Sequence, residues 1–228
     1  MNAGSTVPER SPERVGILGG TFDPVHIGHL IVAREMVEAL SLTEVLFLPA
    51  REPPHKAPSG LTPAEHRLAM LRLAIASEPL FALDERELRR GGKSYTFDTL
   101  RSLREERGPR TELFFLIGAD TLPELKTWRR APELFGLAHF ATAVRPGCLL
   151  SRLEELRDAL PPEAIADLEA HCIPTTPIGV SSTTIRANIL QGRSIRHMVP
   201  REVETYIRAR GLYRAAPSET GEEQRHGG

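Results

Sequence analysis

Apolar residues fall in short runs, separated by stretches in which they recur every third or fourth position. Residues 15–18 read as a buried strand that ends at Gly19 and Gly20. Leu30, Ala33, Val37 and Leu40 then share one side of a helix over residues 30–40, because positions three and four apart lie on the same face. Residues 45–48 predict a second strand. Thr62, Pro63 and Glu65 predict a helix start: Thr as cap, Pro in the first helical position, Glu reaching back. Its apolar side continues through Leu68, Leu71 and Ile75, and residues 80–83 predict a third strand. Phe97, Leu100 and Leu103 mark a further helix, ended by Gly108. Residues 113–117 form the most apolar run and lead into Gly118, Ala119 and Asp120. Residues 138–144 predict another strand, stopped by Pro146 and Gly147. An amphipathic helix over 151–160 and helices over 185–190 and 200–210 complete the pattern.

Strands alternating with helices predict an α/β fold: a doubly wound, mostly parallel sheet covered on both faces, with a small C-terminal helical part. The expected organisation is one domain over residues 14–214 between flexible tails at 1–13 and 215–228, which lack anchoring apolar residues. In such sheets ligands bind beyond the carboxyl ends of the strands. Gly19 to His29, Pro53 to Lys56, Gly118 to Asp120 and Arg145 each follow a predicted strand.

Composition narrows the class. The chain has 228 residues, 40% hydrophobic and 26% charged, with a formal net charge of -1. That is a globular composition without the basic field that holds nucleic acid. An anionic ligand therefore needs a local group of donors. Cys148 and Cys172 are far apart and in no C-x-x-C pair, which argues against a disulfide framework or zinc site and for a reducing compartment. No signal peptide or membrane-spanning run is evident, so the expectation is a cytoplasmic protein without membrane or nucleic-acid partners. A homo-oligomer stays open.

The first chemical signal is Gly19, Gly20, Thr21, Phe22, Asp23, Pro24, Val25, His26, Ile27, Gly28, His29. Two glycines after a strand let the backbone turn tightly and approach a ligand. A helix follows at once, so free N–H groups and a positive dipole end face the same space, which outlines a phosphate site. His26 and His29 fall on one side, where both can donate to phosphate oxygens. A plain strand-to-helix turn with two surface histidines is the alternative. A metal site here lacks an evident third protein ligand.

This segment resembles the nucleotidyltransferase signature with core H-x-G-H, and His26-Ile27-Gly28-His29 spells the form shared with class I aminoacyl-tRNA synthetases. Ser181, Ser182, Thr183, Thr184, Ile185 and Arg186 resemble the family's I-S-S-T-x-I-R motif, with Val180 where Ile is usual. Ser and Thr can cap a helix there, and Arg186 can neutralise developing phosphate charge. Alone, that segment is more often just a capped helix.

Further segments resemble bacterial nicotinate mononucleotide adenylyltransferase: Pro53, Pro54, His55, Lys56; Ser94, Tyr95, Thr96; Ile117 to Asp120; Thr127 and Trp128; Asp84 to Leu88; and Gly211 to Arg214. The resemblance spans nearly all of residues 15–214 and implies a Rossmann-like nucleotidyltransferase fold, adenylyl transfer from ATP to nicotinate mononucleotide, and Mg2+ accompanying ATP. It implies catalytic roles for His26, His29 and Arg186. It implies ATP contacts for Gly19, Gly20, Thr21, Phe22, His26, His29, Gly118, Asp120, Ser181, Ser182, Thr183 and Arg186. His55, Lys56, Tyr95, Thr96, Trp128 and Arg145 would hold the mononucleotide, with Trp128 stacking on the pyridine ring and Thr96 near its carboxylate. Read without the family, Lys56 is a solvated loop lysine, Trp128 a core residue and Asp120 a helix cap. No dedicated protein metal cluster is expected, because Mg2+ keeps its waters and substrate oxygens.

Rival readings differ in what they leave without purpose. A pantetheine-phosphate adenylyltransferase or a cytidylyltransferase has no use for the Ser94–Thr96 and Trp128 segments, and the chain is long for the former. A tRNA synthetase lacks its K-M-S-K-S loop here. A non-enzymatic nucleotide sensor would not need His26, His29, Lys56 and Arg186 together.

Overall fold

The computed structural model describes residues 12–52, 60–144 and 153–214. The elements are β1 (Arg14–Gly20), α1 (Ile27–Leu40), β2 (Glu44–Pro49), α2 (Ala64–Ile75), β3 (Phe81–Leu83), α3 (Arg86–Arg90) and α4 (Thr96–Arg107). They continue with β4 (Glu112–Gly118), a 3-10 helix (Ala119–Thr127), α5 (Ala131–Leu134), β5 (His139–Val144), α6 (Pro162–Ala170), β6 (Cys172–Pro174), α7 (Ser182–Leu190) and α8 (Arg201–Ala209).

All the strands pair in parallel in one sheet, ordered β3-β2-β1-β4-β5-β6. The order reverses between β1 and β4, and the carboxyl ends at such a reversal open a crevice. Alternate residues feed two apolar layers. Leu113, Phe115 and Ile117 of β4 pack with Leu100 and Leu103 of α4 and Leu168 of α6. Phe114 and Leu116 enter the opposite layer with Met36 of α1, Met70 of α2 and Ile207 of α8. A strand buried on both faces needs apolar side chains at every position, which is why 113–117 carries no polar alternation. Ile185 of α7 and Val203 of α8 belong to the second of these layers, so the C-terminal helices complete the main core.

Several expectations need correction. α1 begins three residues before the apolar spacing does, which puts His29 inside its first turn. At α2 the cap position is Pro63, and no side chain caps the helix. Thr62 is drawn away instead: its N–H donates to Asp23 Oδ2 at 3.2 Å, and its carbonyl accepts from Arg67 Nε at 2.9 Å. The expected helix over 151–160 is absent beyond residue 154; residues 155–159 are turns, and Ser151 lies outside the described residues. Leu153, Leu156 and Leu160 are buried there all the same. Pro161 and Pro162 explain the change, since neither offers an N–H to the preceding turn. The regular helix begins just after, as α6. The short α3, α5 and β6 and the 3-10 helix were not anticipated. Among the described residues no helix is long and apolar enough to cross a membrane.

Candidate active site

A cavity of about 860 Å³ opens at the carboxyl ends of β1 and β4. Its wall includes Gly19, Gly20, Thr21, His26, Gly28 and His29 from the first loop and helix. Gly118, Asp120, Glu124 and Trp128 line it from the segment after β4, and Ser94, Tyr95 and Thr96 from the start of α4. The strand-to-helix loop is therefore placed where the sheet order reverses, as the sequence pattern required.

The glycines have steric reasons. A Cβ on Gly19 would approach Phe115 Cζ at 3.3 Å. A Cβ on Gly28 would sit 3.0 Å from both Cε1 and Nδ1 of the His26 ring. The two imidazoles stack, with centroids 3.7 Å apart. The His26 backbone N–H donates to His29 Nδ1 at 3.1 Å, and the His29 N–H donates to the His26 carbonyl at 3.0 Å. Phe22 is buried beneath, its ring edge-on to His29 at 5.0 Å, and it does not form part of the cavity wall.

Burial fixes the charge state of this pair. It lowers the His26 pKa to about 4. Burial, and then the neighbouring His26, hold His29 well below the ordinary imidazole value. At neutral pH both rings are uncharged, so each carries one N–H and one acceptor nitrogen. With Nδ1 of His29 accepting, its proton is on Nε2. His26 Nδ1 and Trp128 Nε1 are buried polar atoms without a hydrogen-bond partner among the described residues, and both residues stand on the cavity wall. Polar atoms left in this state are expensive unless a ligand or water satisfies them.

The second motif meets the first across most of the chain. Ser181 caps α7, its Oγ accepting from the Thr184 N–H at 3.1 Å. Ser182 Oγ donates to the Pro24 carbonyl at 2.8 Å, and Arg186 donates to the Asp23 carbonyl at 2.7 Å. Ser181, Ser182, Thr183 and Arg186 do not line the cavity; Ile178 and Val180, just before them, do. The motif thus clamps the loop that carries His26.

Arg67, buried on α2, braces the same loop from the other side. It donates to the carbonyls of Thr21 and Ala50, each at 2.8 Å, and of Thr62. Asp23 Oδ1 accepts from the Tyr213 hydroxyl at 2.7 Å. Burial lowers the Arg67 pKa, while Asp23 and Tyr213 oppose that shift. This brace was not foreseen, since a charged residue on a helical pattern reads as solvated.

Tyr95 stands at the N-cap position of α4 without a side-chain capping bond, and Thr96 opens the helix, so the expected anion site is at a helix start. Arg129 lies over the Tyr95 ring at 5.0 Å and lines the cavity as well. Glu87 of α3 is buried on the same wall. Thr99 Oγ1 donates to it at 2.7 Å, and Ser94 also hydrogen-bonds it. Burial raises its pKa, and these bonds hold it back. Ser94 Oγ accepts from the Arg51 N–H at 3.0 Å, which ties the chain after β2 to the start of α4. Trp128 is both core and wall: it meets Phe115 edge-on at 5.8 Å while lining the cavity. His55, Lys56 and Arg145 lie outside the described residues.

Known proteins resemble this chain over most of its length. The model of the family described as cytidylyltransferase-like matches residues 17–188. A protein of Moorella thermoacetica named "Probable nicotinate-nucleotide adenylyltransferase" is 44% identical over 89% of this chain and 93% of its own. One of the same name from Pseudomonas syringae is 43% identical over 90% and 95%. A solved structure of Plasmodium falciparum nicotinic acid mononucleotide adenylyltransferase complexed with NaAD superposes with a TM-score of 0.68 at 20% identity, covering 88% of this chain and 97% of that one. At that identity the superposition speaks for the fold.

Proposed function

The chain belongs to the cytidylyltransferase-like family and, within it, to the nicotinate-nucleotide adenylyltransferases, and from that membership we propose how its cavity works. It transfers an adenylyl group from ATP to nicotinate mononucleotide, giving nicotinate adenine dinucleotide and pyrophosphate in NAD biosynthesis. The observation that carries this reading is the clamping of the His26 loop by Ser182 and Arg186, which ties the second signature segment to the loop whose histidines line the cavity.

The nucleophile is already an oxygen of a phosphate monoester. Its second pKa is ~6, so it is largely dianionic at neutral pH and needs no general base. The work left to the protein is to hold two anions in line and offset their repulsion. His29 Nε2–H, His26 and the N–H groups opening α1 donate toward the phosphates of ATP. Arg186 supports the loop that carries them and adds positive charge nearby. Gly118 and Asp120 face the nucleoside part. Trp128, Tyr95 and Thr96 take the pyridine ring and its carboxylate, His55 and Lys56 hold the mononucleotide phosphate, and Arg145 completes the anion pocket.

Enzymes of this kind use a divalent cation, and we assign Mg2+, arriving with ATP. The wall around the two histidines offers imidazole and backbone N–H groups, which suit phosphate oxygens rather than a hard cation. The residues therefore fit an ion carried by the nucleotide, which would supply charge neutralisation between its phosphates. The setting assigned is the cytoplasm. Pyrophosphate release with a panel of phosphate acceptors tests the reading: dependence on nicotinate mononucleotide supports it, and preference for pantetheine phosphate overturns it.

A further inference from the structure

His139 opens β5 at the amino edge of the sheet, away from the cavity, which Ala143 reaches near the other end of that strand. Asp167 and His171 stand four residues apart at the carboxyl end of α6, where that spacing puts them on one side. One ligand atom from each of these three residues lies within 4.8 Å of the other two. His139 Nδ1 is 2.6 Å from Asp167 Oδ1, and His171 Nδ1 is 3.2 Å from the same oxygen. The second carboxylate oxygen accepts from the Phe140 N–H at 2.9 Å, which holds the group in orientation. The two imidazoles lie 4.9 Å apart, and Phe114 packs against both.

We propose that His139, Asp167 and His171 form a binding site for a transition-metal dication of the Zn2+ type, separate from the adenylyl-transfer site. Two imidazoles and a carboxylate form a donor set suited to zinc, whose nitrogen and oxygen ligands stand ~2.0–2.2 Å away. Mg2+ and Ca2+ are disfavoured, because they prefer oxygen alone. The Phe140 N–H is the outer partner that such a carboxylate ligand needs. The His139 side chain is 46% exposed, so ions can enter and water can complete the coordination. His171 Nδ1 also lies 2.9 Å from the Asp167 backbone carbonyl, so the end of α6 itself holds this second imidazole beside the carboxylate. Bound metal would fasten the carboxyl end of α6 to β5, just before the chain enters the edge strand β6. This site does not depend on the functional reading above.

The test is calorimetric titration of Zn2+ into the whole protein without nucleotide, for wild type, His139→Gln and His171→Gln. Glutamine keeps a hydrogen bond to Asp167, so metal-free melting temperatures of the variants check that they fold. The expected result is one Zn2+ per chain in wild type. Either substitution should weaken it at least a hundredfold, the upper end of what loss of a mere outer partner costs. Zn2+ should raise the wild-type melting temperature and not those of the variants, while pyrophosphate release stays within about twofold. No uptake by wild type overturns the proposal. So does uptake that survives both substitutions, which would move the ion to His26 and His29. Should a glutamine variant not fold, Asp167→Asn read by the same titration replaces it.

Discussion

The backbone N–H of His26 donates to Nδ1 of His29 across 3.1 Å, and this one bond sets which nitrogen of His29 carries its proton. Nε2–H is left as the donor, on a ring kept neutral by burial. His29→Ala removes it and should lower turnover by about a hundredfold or more, the scale of losing one transition-state donor. Steady-state pyrophosphate release reads this directly. An unchanged rate would remove His29 from the chemistry.

Gly28 keeps the His26 ring in place. In Gly28→Ala the new methyl would press on that ring at 3.0 Å, while α1 itself tolerates alanine well. The fold should survive, and turnover should fall by roughly a hundredfold, as expected of a small misplacement. A melting temperature that collapses, with specific activity retained by the folded fraction, would contradict this.

Stability should depend on pH through His26. Its pKa is lowered from 6.5 to about 4 in the folded chain. Between those values the unfolded chain binds more protons, so stability falls as pH drops from 6.5 toward 4. At about 1.4 kcal/mol per unit, the loss is on the order of 3 kcal/mol. Urea unfolding at pH 7 and pH 5 should show wild type losing more stability than His26→Asn. Equal losses would count against burial as the cause.

Glu87 should act on the acceptor side of the cavity. Its bonds to Ser94 and Thr99 flank Tyr95 and Thr96. Glu87→Ala leaves both hydroxyls without that acceptor, at a cost of about 1–3 kcal/mol each if they stay buried. The KM for nicotinate mononucleotide should rise several-fold while the KM for ATP changes little. Parallel rises in both would show that the whole cavity has loosened.

How much of this was legible depended on how local each signal is. The run 113–117 declares β4 by itself, and the glycines, histidines and helix start after β1 lie within one stretch of chain. β6 spans only Cys172–Pro174 and owes its existence to pairing with β5. Helical spacing at Leu153, Leu156 and Leu160 pointed to a helix that the two following prolines displaced. Arg67 was invisible, and Glu87 stood in the Asp84–Leu88 segment without a role, because what each does rests on partners elsewhere in the chain. For Arg67 those are the carbonyls of Thr21 and Ala50; for Glu87, the hydroxyls of Ser94 and Thr99. The bond from the Arg186 guanidinium to the Asp23 carbonyl was equally hidden, since the two residues lie far apart in the chain.

The most direct test of the whole account is pyrophosphate release by the purified protein with ATP and Mg2+, comparing nicotinate mononucleotide with nicotinamide mononucleotide. Strong release is expected with the acid and little with the amide, since an α4 helix start favours a carboxylate. No release with either mononucleotide would contradict the assigned reaction, and equal release with both would contradict the carboxylate site at Tyr95 and Thr96.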